Sequence, residues 1–412
     1  MALLSGRVLD LTGVEGFLCG KVLADLGAEV IKVERPGGDP SRRQGPFYHD
    51  IPHPEKSLYW FAYNLNKKGI TLDIETGEGK DIFKKLVAGA DFVIESFPAG
   101  YLDGLGLGYP ALSAVNPSVV MTSITPFGQR GPYRDYKGSD ITLLAMGGLL
   151  YITGYPDRPP LRVSVPQSWL LAGSSAAAST MIAHYHRSCT GEGQHVDVSI
   201  QASITWALTN AVAHWELEGI NLSRRGSVLS GRFGRNIQRI LWPCRDGFVA
   251  YVIFGGRLGV SMGNCQLAAW LDEEGIADDF LREFDWESYD LAVAVQEEQD
   301  RLEAYAGQLF LKHNKLELYG EGLKRGIKIF PAYSPKDVMA DPQLKSREFW
   351  VKVAHPELAD TLTYPGAFYR TAEPDTVKPR RPPLIGEHNR EIYRQLGISD
   401  REIVRLNQVG VI

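Results

Sequence analysis

Short, dense apolar runs at Gly6–Thr12 and Ala28–Glu34 flank a segment, Gly16–Leu26, whose apolar residues recur at helical spacing before Gly27. Runs of that density suit strands buried on both faces, so the chain opens on a strand–helix–strand crossover. The rhythm repeats. A helix over Gly77–Ala88 leads into the strand Asp91–Glu95, and a short helix near Ala111 leads into the strand Ser118–Ser123. Strands alternating with helices predict an α/β fold with a parallel sheet covered on both faces. An alanine- and leucine-rich helix over Trp169–His186, closed by the turn Thr190–Gly193, precedes a strand at His195–Ser199 and a helix running through Glu218.

The pattern then changes. Ser223–Gly234 is a basic, glycine-bearing loop, and Asp272–Leu323 is an acidic, helix-forming stretch with little strand signal. The chain therefore divides into a large domain over about residues 1–205, a linker over 206–224, a smaller domain over 225–330, and a linker with an extended C-terminal arm over 331–412 that returns to the first domain. Pro379–Gly386 marks that arm.

Composition narrows the class. With 412 residues, 44% hydrophobic and 23% charged, the chain can bury a sizeable core and is too long for one ordinary domain. A net charge of -5 offers no electrostatic footprint for nucleic acid or an anionic membrane. Cys19, Cys189, Cys244 and Cys265 are widely separated, with no histidine at metal-ligand spacing, and read as buried thiols with no metal. The N-terminus turns polar before a signal-peptide core is complete, and no apolar run approaches about 20 residues, so a soluble cytoplasmic protein is expected.

Several separated segments carry a resemblance. They are Leu23–Pro36 with Gly37, Gly38 and Asp39; Asn66–Asp73; Leu105–Tyr109; Gly128–Tyr133; Thr190–His195; Asp341–Gln343; His355–Pro356; and Gly386–His388. Their order and number resemble the class III CoA-transferases, a family that includes carnitine CoA-transferases, formyl-CoA:oxalate transferases and alpha-methylacyl-CoA racemases. The resemblance implies a Rossmann-like large domain with a parallel sheet, a smaller α+β domain, and two chains interlocked like linked rings. CoA would lie on the large domain of one chain while the other chain's glycine loop, here Gly226, Gly231 and Gly234, closes over the acyl group. Coenzyme A and its acyl esters are then substrates, and no cofactor is bound covalently.

Trp169 departs from the family at its most consequential position. Family members carry there an aspartate that attacks the acyl-CoA carbonyl to form a mixed anhydride, which an indole cannot do. Being bulky and apolar, Trp169 is expected to fill the acyl cleft. Ser96 and Gly104 replace a common asparagine and arginine, and Ser139 stands where the racemase branch needs a histidine before Asp140. Asp140 reads as a helix N-cap and Glu15 as a weak substitute carboxylate in the loop after the first strand. His195 and Asp197 read as structural. For CoA, Arg35 is the best phosphate or adenine ligand, just past a strand end in the Lys32–Asp39 signature. Lys67, Lys68 and Lys137 are either further positive charge or solvated surface lysines. Ser96 is counted among the CoA-binding positions although its change from asparagine removes a phosphate contact, and Leu72 and Phe97 are either apolar walls of the site or core. Trp60, Tyr63 and Trp242 fit core packing better than an acyl pocket.

Three functions follow. The first is the non-nucleophilic subunit of a heteromeric class III CoA-transferase, moving CoA from a donor such as succinyl-CoA to a carboxylic acid, partnered in an interlocked heterodimer or heterotetramer by a homologue that keeps the aspartate. This is similar to the two-subunit succinyl-CoA:(R)-benzylsuccinate CoA-transferases of anaerobic aromatic degradation. The second is a stand-alone CoA-ester lyase, hydratase or isomerase using Glu15 or Asp140 as base. The third is a non-catalytic CoA-ester binding protein.

Overall fold

The computed structural model describes residues 3–230, 236–371 and 378–412. Six parallel strands, β1 (Arg7–Leu11), β2 (Glu29–Glu34), β3 (Lys68–Thr71), β4 (Phe92–Glu95), β5 (Val120–Thr125) and β6 (His195–Ser199), form one sheet in the order β3-β2-β1-β4-β5-β6. Successive residues of a strand point to opposite faces, which explains the dense apolar runs. Leu9, Ile31 and Val93 enter one apolar layer, with Phe83 and Leu86 of the helix Gly77–Ala88. Their neighbours Val8, Val30 and Phe92 enter the other, with Leu23, Ala172 and Ala176. Each fully buried large apolar side chain stabilises by roughly 1.5–3 kcal/mol.

The predicted crossover strands and helices are present, and the helix read from Trp169 runs over Gln167–Thr190. Its alanines let it lie close to the sheet, where Thr180 Oγ1 meets Thr122 Oγ1 at 2.7 Å. Gly173 allows the same closeness to the first helix, since a Cβ there would sit 2.8 Å from Leu18 Cβ.

An edge strand and a hairpin are among the elements absent from the sequence reading. Lys68–Thr71 forms the sheet's edge strand, sealed by the returning arm: Gly69 N donates to His388 Nδ1 (3.1 Å) and Thr71 N to Asn389 Oδ1 (2.8 Å). Within the stretch read as linker and arm, Trp350–His355 and Asp360–Pro365 pair as an antiparallel hairpin. The thiols also need correction: Cys19 and Cys244 are buried, but Cys189 and Cys265 are exposed, and all four are free.

The chain separates into two compact units, Met1–Leu150 with Arg162–Asn221 and Gln343–Ile412, and Tyr151–Leu161 with Leu222–Pro342. The second has its own core. A small antiparallel sheet of Leu241–Cys244, Gly247–Ala250 and Phe330–Pro331 packs Trp242 and Val249 against Phe310 and Leu318 of the helices Gln296–Lys312 and Lys315–Arg325. Among the described residues, no helix is long and apolar enough to cross a membrane and no cluster of ligating side chains could hold a metal.

Candidate functional site

The strand order reverses direction between β1 and β4, and open parallel sheets bind ligands outside the carboxyl ends of their strands at such a switch point. A cleft of about 600 Å³ lies there, lined by residues following four strands: Gly13 and Glu15 after β1, Arg35 and Asp39 after β2, Leu72 and Glu75 after β3, Ser96 and Phe97 after β4.

A buried ionic cluster fixes the loop after β1. Asp10 accepts from Thr12 N (3.0 Å), Thr12 Oγ1 (2.6 Å) and Lys67 Nζ (2.8 Å). Lys32 Nζ lies 3.7 Å from the same carboxylate and donates to the carbonyl of Thr12. Burial acts to raise the Asp10 pKa, but Lys67 and Lys32 outweigh it and hold the carboxyl below its ordinary value. At the loop's far side Gly13 N donates to Ser96 Oγ at 2.7 Å, so the departure at position 96 joins two walls of the cleft. The wall after β2 hangs on Glu34, which takes Arg42 at 2.6 and 2.8 Å and Asp39 N at 2.8 Å.

The candidate ligands sort by this geometry. Arg35, exposed, lines the cleft with Leu72, Ser96, Phe97 and Glu15. Lys67 does not: it is buried on Asp10 and Asn64, where burial lowers its pKa. Lys68 begins β3, at the end remote from the cleft, between Glu29 (2.7 Å) and Glu391 (2.6 Å). Lys137 is exposed and outside the lining. Trp60 and Trp242 are core, and Tyr63 is half-buried.

Position 169 also differs from expectation. The Trp169 ring packs against the apolar layer around the helix Gln167–Thr190, is absent from the cleft lining, and leaves its buried Nε1 without a hydrogen-bond partner. Packing against that layer removes apolar indole surface from water, which open space over the cleft would not. Asp140 is not the N-cap. Ser139 caps Asp140–Met146 in a capping box, and the buried Asp140 carboxylate instead accepts from Ser168 N (3.1 Å) and Ser168 Oγ (2.8 Å) at the start of the helix Gln167–Thr190, with Arg162 Nε at 3.0 Å. A carboxylate so engaged is a poor nucleophile or base. Glu15 is half-buried in the cleft, where burial raises its pKa and Asp39 adds to the effect. Burial likewise raises Tyr59, with smaller contributions from Tyr63, Glu15 and Asp140, which puts these groups in one neighbourhood.

Of the glycine loop, Gly226 has φ 58° and lies against the Tyr155 ring, which a Cβ would strike at 2.3 Å; Gly231 and Gly234 lie outside the described residues. His195 and Asp197 sit on β6, His195 hydrogen-bonded to Ser123 Oγ (2.9 Å) and Asp197 accepting from Gln129 N (3.0 Å). Sequence reading missed Glu75 and Tyr101, whose hydroxyl donates to the Glu75 carboxylate at 2.6 Å, and the buried Glu95. For Glu95, its place at the end of the predicted strand Asp91–Glu95 was the available signal; Glu75 follows β3 and Tyr101 opens the short helix Tyr101–Gly104, elements the sequence did not reveal.

The family model described as CoA-transferase family III matches residues 4–389. The chain is 37% identical over 98% of its length to "Succinyl-CoA:(R)-benzylsuccinate CoA-transferase subunit BbsE" of Thauera aromatica, 97% of which is covered. It is 34% identical, with 98% and 97% covered, to "Succinyl-CoA--D-citramalate CoA-transferase" of Chloroflexus aurantiacus. In structure it is similar to a CAIB/BAIF family protein from Brucella suis, with a TM-score of 0.80, 30% identity, and 95% of this chain and 98% of that one covered.

Proposed function

Because this chain belongs to CoA-transferase family III, we propose that it is the non-nucleophilic subunit of a heteromeric transferase that moves CoA from succinyl-CoA to a carboxylic acid. The observation that carries this reading is Trp169 at the nucleophile position, with the nearest motif carboxylate, Asp140, committed to holding a helix start. Both relatives named above use succinyl-CoA, and one is named as a subunit. In an interlocked pair, this chain would lend Gly226, Gly231 and Gly234 to a homologue that retains the aspartate. The partner's carboxylate attacks the thioester carbonyl, the C–S bond breaks, CoA leaves as thiolate, and backbone N–H groups stabilise the oxyanion. CoA thioesters are the substrates, and no further cofactor takes part.

Co-expression tests this reading. The chain should co-purify with an aspartate-bearing homologue at equal stoichiometry; failure to associate with any such homologue overturns it. Trp169→Asp is expected to restore acyl-enzyme formation only in part, measured as hydroxamate after hydroxylamine trapping, because the native ring packs into the apolar layer and not over the cleft. Full restoration would show an otherwise intact site. Arg35→Ala should weaken CoA binding to the lone chain about tenfold, roughly 1.4 kcal/mol by calorimetry, if the guanidinium holds a phosphate.

Glu15 favours a second reading. A half-buried carboxylate facing the cleft with a raised pKa suits a general base in a stand-alone CoA-ester lyase, hydratase or isomerase. Turnover by the lone chain that Glu15→Gln abolishes would establish it.

A further inference from the structure

Glu95 ends β4 one residue before the cleft wall and is buried, 3% exposed. Its Oε2 accepts from Phe97 N at 2.6 Å, and its carboxylate is also hydrogen-bonded by the Ser123 hydroxyl. Ser123 Oγ in turn lies 2.9 Å from Nε2 of His195, an exposed ring stacked on Tyr109 at 5.6 Å. A buried carboxylate is thus joined to the surface by one hydroxyl and one imidazole. On the cleft side Phe97 packs on Tyr101 at 4.8 Å, and the Tyr101 hydroxyl bonds Glu75, so the wall fixed at Glu95 reaches the end of β3.

We propose that Glu95 is a positioning residue of the cleft: its buried carboxylate holds the Ser96–Phe97–Pro98 wall and communicates with solvent through Ser123 and His195. This rests on the reading that the cleft takes the CoA portion of the substrate. The groups facing Glu95 give the device its range. Ser123 stands beside it on β5, Asp197 continues the same row on β6, Asp103 approaches from the short helix Tyr101–Gly104, and β1 presents Leu11 as its register partner. Burial raises the Glu95 pKa most, the Ser123 hydroxyl and Phe97 N–H oppose it, Asp103 and Asp197 add to it, and the carboxyl titrates at about 7. Burial also keeps His195 below its ordinary value. Above neutrality the ionised carboxylate takes the Phe97 N–H in a charge-assisted bond and the wall is firm; below it, the neutral acid accepts more weakly and the wall loosens.

The test compares CoA affinity of the full chain with that of Glu95→Gln and Ser123→Ala from about pH 5.5 to 8.5, alongside amide hydrogen exchange at Phe97 without CoA. The ratio of wild-type to Glu95→Gln affinity cancels the titration of CoA's own phosphates. It should rise from near 1 at the acid end to about fivefold at the alkaline end, with a midpoint at about 7. Ser123→Ala, which removes a donor to the carboxylate, should move the midpoint upward and leave the limits unchanged. A ratio constant across the range overturns the proposal, as does an unmoved midpoint in Ser123→Ala; if Glu95→Gln does not fold, the ratio of wild-type to Ser123→Ala affinity carries the test, since it should depart from 1 only around neutrality, and a constant ratio overturns the proposal. If the wild type binds no CoA, the reading of the cleft fails by itself. Phe97 protection, corrected for intrinsic exchange, then decides the role of Glu95: it should increase through neutrality in wild type and not in Glu95→Gln, and a flat wild-type profile overturns it.

Discussion

Asp10→Ala is expected to cost about 3–5 kcal/mol of folding stability, read as a fall in urea midpoint at unchanged slope. The carboxylate is fully buried between two buried lysines, Lys67 at 2.8 Å and Lys32 at 3.7 Å. Replacing the two lysines and the aspartate together by apolar residues could be nearly neutral, but removing the aspartate alone leaves two unscreened cations in the apolar interior. It also frees Thr12 N, whose bond to Asp10 shapes the turn into the cleft loop. Because Asp10 ionises more readily in the folded chain than in the unfolded one, its contribution is present above the ordinary carboxylate range and lost as the pH falls through the lowered folded value. The stability gap between wild type and Asp10→Ala should therefore narrow in acid. A loss below about 1 kcal/mol at neutral pH would mean that the lysines find other partners.

The largest effect on activity is expected from the partner. The lone chain should exchange CoA between succinate and its acceptor at least about a thousandfold more slowly than the co-expressed pair, since the group that forms the acyl-enzyme is absent and triad-like constellations lose rates of that order when their nucleophile is removed. Replacing the partner's aspartate with asparagine should lower the pair to the level of the lone chain. Glu15→Gln in this chain should leave the pair's rate within about twofold. A lone chain as active as the pair would eliminate the heteromeric reading and promote Glu15.

What the sequence made legible follows the range of the forces involved. β1, β2, β4 and β5 were readable because strands buried on both faces need near-continuous apolar residues, a local property. β3 was not, because Lys68-Gly-Ile-Thr71 is completed by His388 and Asn389, more than 300 residues away. Arg35 was found because it follows a strand end, where ligands collect in a parallel sheet, whereas Leu72, Ser96 and Phe97 came with the family resemblance and only the fold places them beside it in one cleft. Lys67 was misplaced for the opposite reason: adjacent lysines look solvated until Asp10, 57 residues earlier, is folded against one of them. Asp140 was seen as a capping residue, but the helix it caps starts at Gln167. Trp169 was identified by position, and the direction of its ring, toward the apolar layer, is a tertiary outcome that no local pattern encodes.

In the proposed pair, this chain shapes an active site without carrying the acyl group. The direct measurement is to incubate the co-purified pair with succinyl-CoA labelled in the succinyl moiety, trap with hydroxylamine, and locate the modified carboxylate in each subunit by mass spectrometry. The expected result is a hydroxamate on the partner's aspartate alone and none in this chain. A hydroxamate at Glu15 or Asp140 of this chain would contradict it.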